Sequence, residues 1–190
     1  MKTLSFLAVL LAAAGSAPVK AEPVTYGIDA AHTKVYWEVR HFGTSTHRGR
    51  FDGVGGDIVI DRDKGTGEVQ ITIPTATISS GVPALDAVLR NGSFLSSSSY
   101  PQAYFIAKQL RFDGSQLNAV RGEFTLRGVS KPLELSASNF NCREDAMLKR
   151  EVCGGDFVAE ILRSDYGSTF GLPFVGDKVR LLISVEGIRQ

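Results

Sequence analysis

Lys178-Val179-Arg180-Leu181-Leu182-Ile183-Ser184-Val185-Glu186 is the stretch on which the fold turns. Val179, Leu181, Ile183 and Val185 fall on one face of an extended chain, and Lys178, Arg180, Ser184 and Glu186 on the other. This period-two alternation marks a strand with one buried and one wet face. Working back toward the N-terminus, Val35, Trp37 and Val39 alternate with Lys34, Tyr36, Glu38 and Arg40 in the same way. Between these runs, further strands are expected near Arg48 to Gly53, Asp57 to Asp61, Glu68 to Ile73, Tyr104 to Gln109, Ala119 to Leu126, Leu133 to Ala137 and Asp156 to Leu162. The first two of these are read either as separate strands or as one strand bent through Gly53, Gly55 and Gly56. Gly65-Thr66-Gly67, Asp113-Gly114 and Gly128 supply turns, since glycine reaches positive φ without steric cost.

One segment breaks the alternation. Pro83-Ala84-Leu85-Asp86-Ala87-Val88-Leu89-Arg90 combines helix formers with a proline suited to a first turn, and Asn91-Gly92 stops it. It is read as one short helix.

The ends and the composition limit the rest. Lys2, the apolar run Leu4 to Ala14 and the small-residue sequence Val19-Lys20-Ala21 read as a secretory signal over residues 1–21, leaving residues 22–190 as a single domain. The apolar run is too short to span a bilayer, so stable membrane insertion is not expected. A net charge of +1 gives no electrostatic footprint for nucleic acid. Cys142 and Cys153 are the only two cysteines, and in an oxidising compartment they are expected to form a disulfide across the polar segment between them, worth roughly 2–3 kcal/mol.

Eight or so strands with one apolar face bury it either between two sheets or inside a barrel, and the barrel also removes exposed edges. The barrel is favoured. A membrane-spanning barrel has the same periodicity with its faces exchanged. Runs of roughly six to eight residues are short for a span, and no aromatic girdles are expected at the strand ends. The inward phase mixes Gly49, Gly53, Gly122, Gly155, Ala107, Ala137 and Ala159 with Phe51, Phe105, Phe124 and Phe157. The small residues suit an internal cavity, and they equally suit bulges and strand crossings.

Several motifs, in order, resemble YceI-like proteins. They are Tyr26-Gly27-Ile28-Asp29-Ala30-Ala31-His32-Thr33, Val39-Arg40-His41-Phe42-Gly43, Arg48-Gly49-Arg50-Phe51, Ser93-Phe94-Leu95 with Tyr100-Pro101, Gly122 to Pro132, and Arg163-Ser164-Asp165-Tyr166-Gly167. The resemblance covers nearly all of residues 26–187. It implies a lipocalin-like, eight-stranded antiparallel β-barrel with one short helix and an apolar internal cavity. It also implies export to the bacterial periplasm and binding of a hydrophobic polyisoprenoid lipid such as an isoprenoid quinone. At Val88 the chain departs from the family, whose members usually carry histidine there, which puts a polar headgroup contact from that position in question.

On this reading the cavity lining comprises Val35, Trp37, Val39, Phe42 and Phe51, then Ile71, Ile73 and Phe94. Phe105, Ala107, Phe124, Phe157, Ala159, Leu181 and Ile183 complete it. His41 and Arg163 are candidate headgroup contacts, although Arg163 and Asp165 at a strand end more often hold a turn together. His32, His41 and His47 lack the spacing of a metal site, and none stands in a recognised nucleophile context. No cofactor, metal or catalysis is therefore expected, and a homodimer is compatible with the sequence. The competing readings are a lipid-modifying enzyme using the histidines, and a structural or stress-related envelope protein whose core is simply full.

Overall fold

A computed structural model describes residues 22–62, 64–114 and 116–190, so the expected export segment lies outside the described residues. Ten antiparallel strands follow in chain order. They are β1 (Val24–Ile28), β2 (Lys34–His41), β3 (Ser45–Phe51), β4 (Gly55–Asp61), β5 (Thr66–Pro74), β6 (Gln102–Asp113), β7 (Gln116–Leu126), β8 (Val129–Asp145), β9 (Arg150–Leu162) and β10 (Val175–Arg189). The one α-helix, α1, spans Pro83–Arg90 as the sequence indicates, with its proline in the first turn.

Ten strands make an eight-stave closed barrel because two staves are each built from two pieces. β10 pairs with β2 through Val179–Ser184 and with β1 through Gly187–Arg189, so β1 and β2 lie end to end along it. β3 pairs with β2 and β4 with β1, so β3 and β4 also follow one another along a single path. The bent-strand alternative is thus close to the fact, with the bend at residues 52–54. β4 then pairs with β5, consecutive strands pair through to β10, and β10 closes on β1. Arg50 and Ser79 exchange backbone hydrogen bonds of 2.8 and 2.9 Å, which ties β3 to the segment after β5.

The strands of the second half are longer than the sequence suggests. β6 to β10 run from 11 to 17 residues, so strand length does not argue against a membrane span. The placement of charge does. Arg48 and Arg180 meet Glu38, Arg121 meets Glu134 and Lys178 meets Glu160 on the outer wall, while the apolar phase faces inward. β6 and β8 look short in sequence because a bulge reverses their parity. Ala103, Phe105 and Ala107 face inward before the register shift in β6, and Leu110 and Phe112 after it. In β8 the inward set passes from Leu133, Leu135 and Ala137 to Phe140 and Cys142. β1, unassigned from sequence, places the buried Tyr26 inside.

The inward glycines do not make the interior roomy. A Cβ on Gly49 would lie 2.4 Å from the Trp37 ring, on Gly122 2.6 Å from the Ala107 Cβ, and on Gly155 2.4 Å from the Asn139 carbonyl. They mark close approaches, and Gly53 is a turn with φ +66°.

At one end of the barrel, the β8–β9 turn is held by Asp145, which accepts hydrogen bonds from the Met147 and Leu148 amides and from Arg143. The two amides and the Arg143 guanidinium hold its carboxyl down at about 2, against an ordinary 3.8. A depressed carboxylate stabilises the folded state above its ordinary value and loses that contribution as pH falls through its folded one. The amide NMR shifts of Met147 and Leu148 should therefore titrate with a midpoint near 2 and not near 3.8. Gly56 sits at φ +130°, where a Cβ would meet the Gln70 carbonyl oxygen at 1.9 Å. Gly56→Ala should cost about 3 kcal/mol in urea unfolding. Gly43→Ala, with positive φ but open space around it, should cost about 1 kcal/mol.

Candidate ligand cavity

The inward side chains enclose a cavity of about 220 Å³ that runs the length of the barrel. Its floor is formed by Tyr26, Ile60, Phe140 and Cys153, and its mouth by Leu89, Phe94, Leu95, Arg163, Ser168 and Val175. Between them the walls are Val, Ile, Leu and Phe side chains from every stave. The single helix and the loop after it sit across the mouth end. Asp86 fixes that helix by accepting hydrogen bonds from the Ser80 amide and hydroxyl, both 2.6 Å, and these bonds lower its carboxyl below the ordinary range.

Tyr26 closes the floor at 1% exposure. Its hydroxyl donates to Glu151 at 3.1 Å and accepts from Arg62 at 2.9 Å, and Arg62 also binds Glu151. Burial raises the Tyr26 phenol, with Glu151 adding to the effect, so the hydroxyl stays protonated and donating. The expected Cys142–Cys153 disulfide is formed beside it and joins directly opposed residues of β8 and β9. The Arg62 guanidinium lies 3.1 and 3.2 Å from the two sulfurs.

Thr33, Thr75 and Arg163 of the lining are tied to the protein's own backbone. Thr33 bonds both the amide and the carbonyl of Glu186, and Thr75 donates to the Tyr100 carbonyl at 2.7 Å. Arg163, 6% exposed, donates to the carbonyls of Gly176, Ser168 and Val175 at 2.7–2.8 Å. It holds the 163–176 turn, as anticipated, but through carbonyls, while Ser164 engages Asp177 and Asp165 is exposed. Burial lowers the guanidinium's affinity for its proton, and Asp177 opposes that. The fully buried indole N–H of Trp37 has no partner among the described residues.

Most of the residues expected to line the cavity do so. Val35, Trp37, Val39, Phe51, Ile71, Ile73, Phe94, Phe105, Phe124, Phe157, Leu181 and Ile183 all face it, as does Arg163. Four do not. Ala107 and Ala159 are buried at 2% and 6%, but lie where the walls pack against each other, Ala107 against the bare backbone of Gly122. Phe42 adopts φ +50° in the β2–β3 turn, just past the end of β2, and its ring is 58% exposed. His41 stacks on His47 at 4.1 Å at the rim and does not line the cavity. Aromatics do collect at this end. Phe42 stacks on Phe174 at 5.3 Å, and Phe94 meets Phe170 edge-on at 5.6 Å with Arg163 over its ring.

His32 bonds the Asp29 carboxylate at 2.7 Å in the turn between β1 and β2. That bond raises the imidazole and lowers the carboxyl. Asp29, His32 and Glu186 lie within 4.8 Å of one another, but on the outer wall, away from the cavity.

A family model described as the YceI-like domain matches residues 26–187. Protein YceI of Escherichia coli O157:H7 is 32% identical over 186 residues, covering 96% of this chain and 94% of that protein. A UPF0312 protein of Shewanella is 29% identical over 97% of both chains. Among solved structures, Burkholderia cenocepacia BcnA superposes with a TM-score of 0.68 at 21% identity, over 84% of this chain and 98% of that one. A polyisoprenoid binding domain from Saccharophagus degradans, implicated in plant cell wall breakdown, superposes at 0.64 with 16% identity, over 87% and 98%.

Replacing Arg163 by Gln keeps a donor but cannot reach three carbonyls. We expect a loss of about 3 kcal/mol, read by denaturant unfolding, with the largest gain in amide hydrogen exchange confined to residues 163–177.

Proposed function

Because the chain belongs to the YceI-like family and its barrel encloses a continuous hydrocarbon-lined tube, we propose that it is a binding protein for a long polyisoprenoid lipid, of the quinone or polyprenol type. The observation that carries this is the lining, in which the threonines and Arg163 already bond the backbone and leave apolar surface for a tail. The Saccharophagus domain, whose fold is similar, is described as polyisoprenoid binding, which supports the ligand class. The closed disulfide and the export segment expected at residues 1–21 support a periplasmic location.

Burying one isoprene unit removes four or five carbons from water, worth roughly 3–4 kcal/mol gross at about 0.8 kcal/mol per carbon. Tail length therefore sets affinity more strongly than headgroup identity. An enzyme would need a nucleophile and base facing the ligand. Among the described residues, the three histidines lie at the rim or on the outer wall. A filled core does not fit a cavity of this length.

The test is a chain-length series of prenols and quinones. We expect affinity to climb at least about tenfold per isoprene unit until the tube is full; a flat series contradicts the proposal. Val69→Phe, which projects a ring into the tube, should abolish binding while thermal unfolding stays cooperative. Mass spectrometry of lipid extracted from the purified protein should return an intact isoprenoid, whereas an altered lipid points to catalysis.

A further inference from the structure

The two ends of the barrel expose different chemistry. At the mouth, Phe42, Phe170 and Phe174 stand 58–60% exposed, although rings of this kind are ordinarily buried. They continue the cavity wall outward. Phe170 packs on Phe94 of the lining, Phe174 precedes lining residue Val175, and Phe42 stacks on Phe174 while its amide donates to that residue's carbonyl at 2.6 Å. Val82 and Val88 add exposed aliphatic surface beside them, at the start and on the outer side of the helix.

Cations surround this patch. Arg40 bonds the Gly43 carbonyl and the Thr46 hydroxyl, Arg90 the Ala76 carbonyl, and Arg127 the carbonyls of Gly92 and Phe94. The partners of Arg40 and Arg127 are neutral, so their charge is left for something else, while Arg90 also acts on the Asp86 carboxylate of its own helix. The carboxylates nearby are Asp86, engaged by Ser80, Asp177, engaged by Ser164, and the exposed Asp165. Aromatic rings at headgroup depth with guanidiniums beside them are the chemistry of a surface that lies on an anionic bilayer.

We infer that the mouth end docks on the surface of an anionic lipid bilayer, with Phe42, Phe170 and Phe174 inserted as anchors and Arg40, Arg90 and Arg127 facing phosphates. This rests on reading the cavity as a lipid site, because docking there lets an isoprenoid pass between membrane and tube without crossing water. A water-soluble ligand would have no use for an apolar rim.

The test uses the whole mature protein and isoprenoid-free vesicles, so that docking is read apart from cavity binding. In flotation assays, phosphatidylglycerol–phosphatidylethanolamine vesicles should carry the protein, and pure phosphatidylcholine vesicles should carry about tenfold less. Raising salt from about 0.1 to about 0.5 M should release it. Phe42→Ser/Phe170→Ser/Phe174→Ser should lower the bound fraction at least about tenfold at unchanged thermal stability, with Phe170→Ser alone giving a partial loss. Met147→Ser/Leu148→Ser, which removes exposed apolar side chains from the opposite end, should leave docking intact. Equal flotation of the triple variant and the parent overturns the inference. So does a parent dimer that the triple substitution converts to monomer, since a second copy would then own the patch. Val69→Phe should dock normally, which separates loss of the cavity from loss of the docking surface.

Discussion

Closure of the barrel depends on the hydrogen bonds along one edge of β10. The strand is long enough to pair with β2 over its first two thirds and with β1 at its end, while its other edge pairs with β9 from Lys178 to Ile188. A sheet left open there would expose backbone donors and acceptors along β1 and β10, and would let water into the interior. The five-residue excursion between β1 and β2 costs no closure, because Thr33 reaches back to both backbone groups of Glu186 and Asp29 donates to the same carbonyl. A closed wall allows the apolar phase of every stave to face the same dry space.

The interior then divides by length. At the floor a phenol, a carboxylate, a guanidinium and a disulfide interlock, and each polar group has a partner. At the mouth a helix, two turns and a clamp made of one arginine and three carbonyls span the opening. Loops held by a few hydrogen bonds open more readily than a cross-linked sheet end. Under the proposed function, this difference would direct passage of a lipid to the mouth, with no need for a dedicated gate.

The walls were legible in the amino acids because period-two alternation is strong where one face is dry, as in Val179 to Val185. The helix was legible down to its limits because Pro83 and Asn91-Gly92 are local signals. What escaped had a physical cause in each case. The bulges of β6 and β8 shift apolar residues from odd to even numbers, so Leu110, Phe112 and Phe140 read as the wrong face. Phe42 was expected on the cavity, but a left-handed turn just past the end of β2 places its ring outside. Ala107 and Ala159 do face inward, and alternation cannot tell a residue at a packed wall from one at a void. Glycines that looked like room are places where backbones meet.

That last distinction bears on why the tube is hollow at all. Its lining is dominated by Val, Ile, Leu and Phe, side chains large enough to fill a narrower barrel, with a few small residues among them. Eight staves give an interior just wide enough to be filled or to hold a ligand. The close approaches at Gly49, Gly122 and Gly155 fix where neighbouring staves touch. With its threonines and Arg163 bonded to the backbone and Tyr26 to Glu151 and Arg62, such a space has little affinity for water. An apolar chain loses nothing by entering it and leaves its own hydration behind.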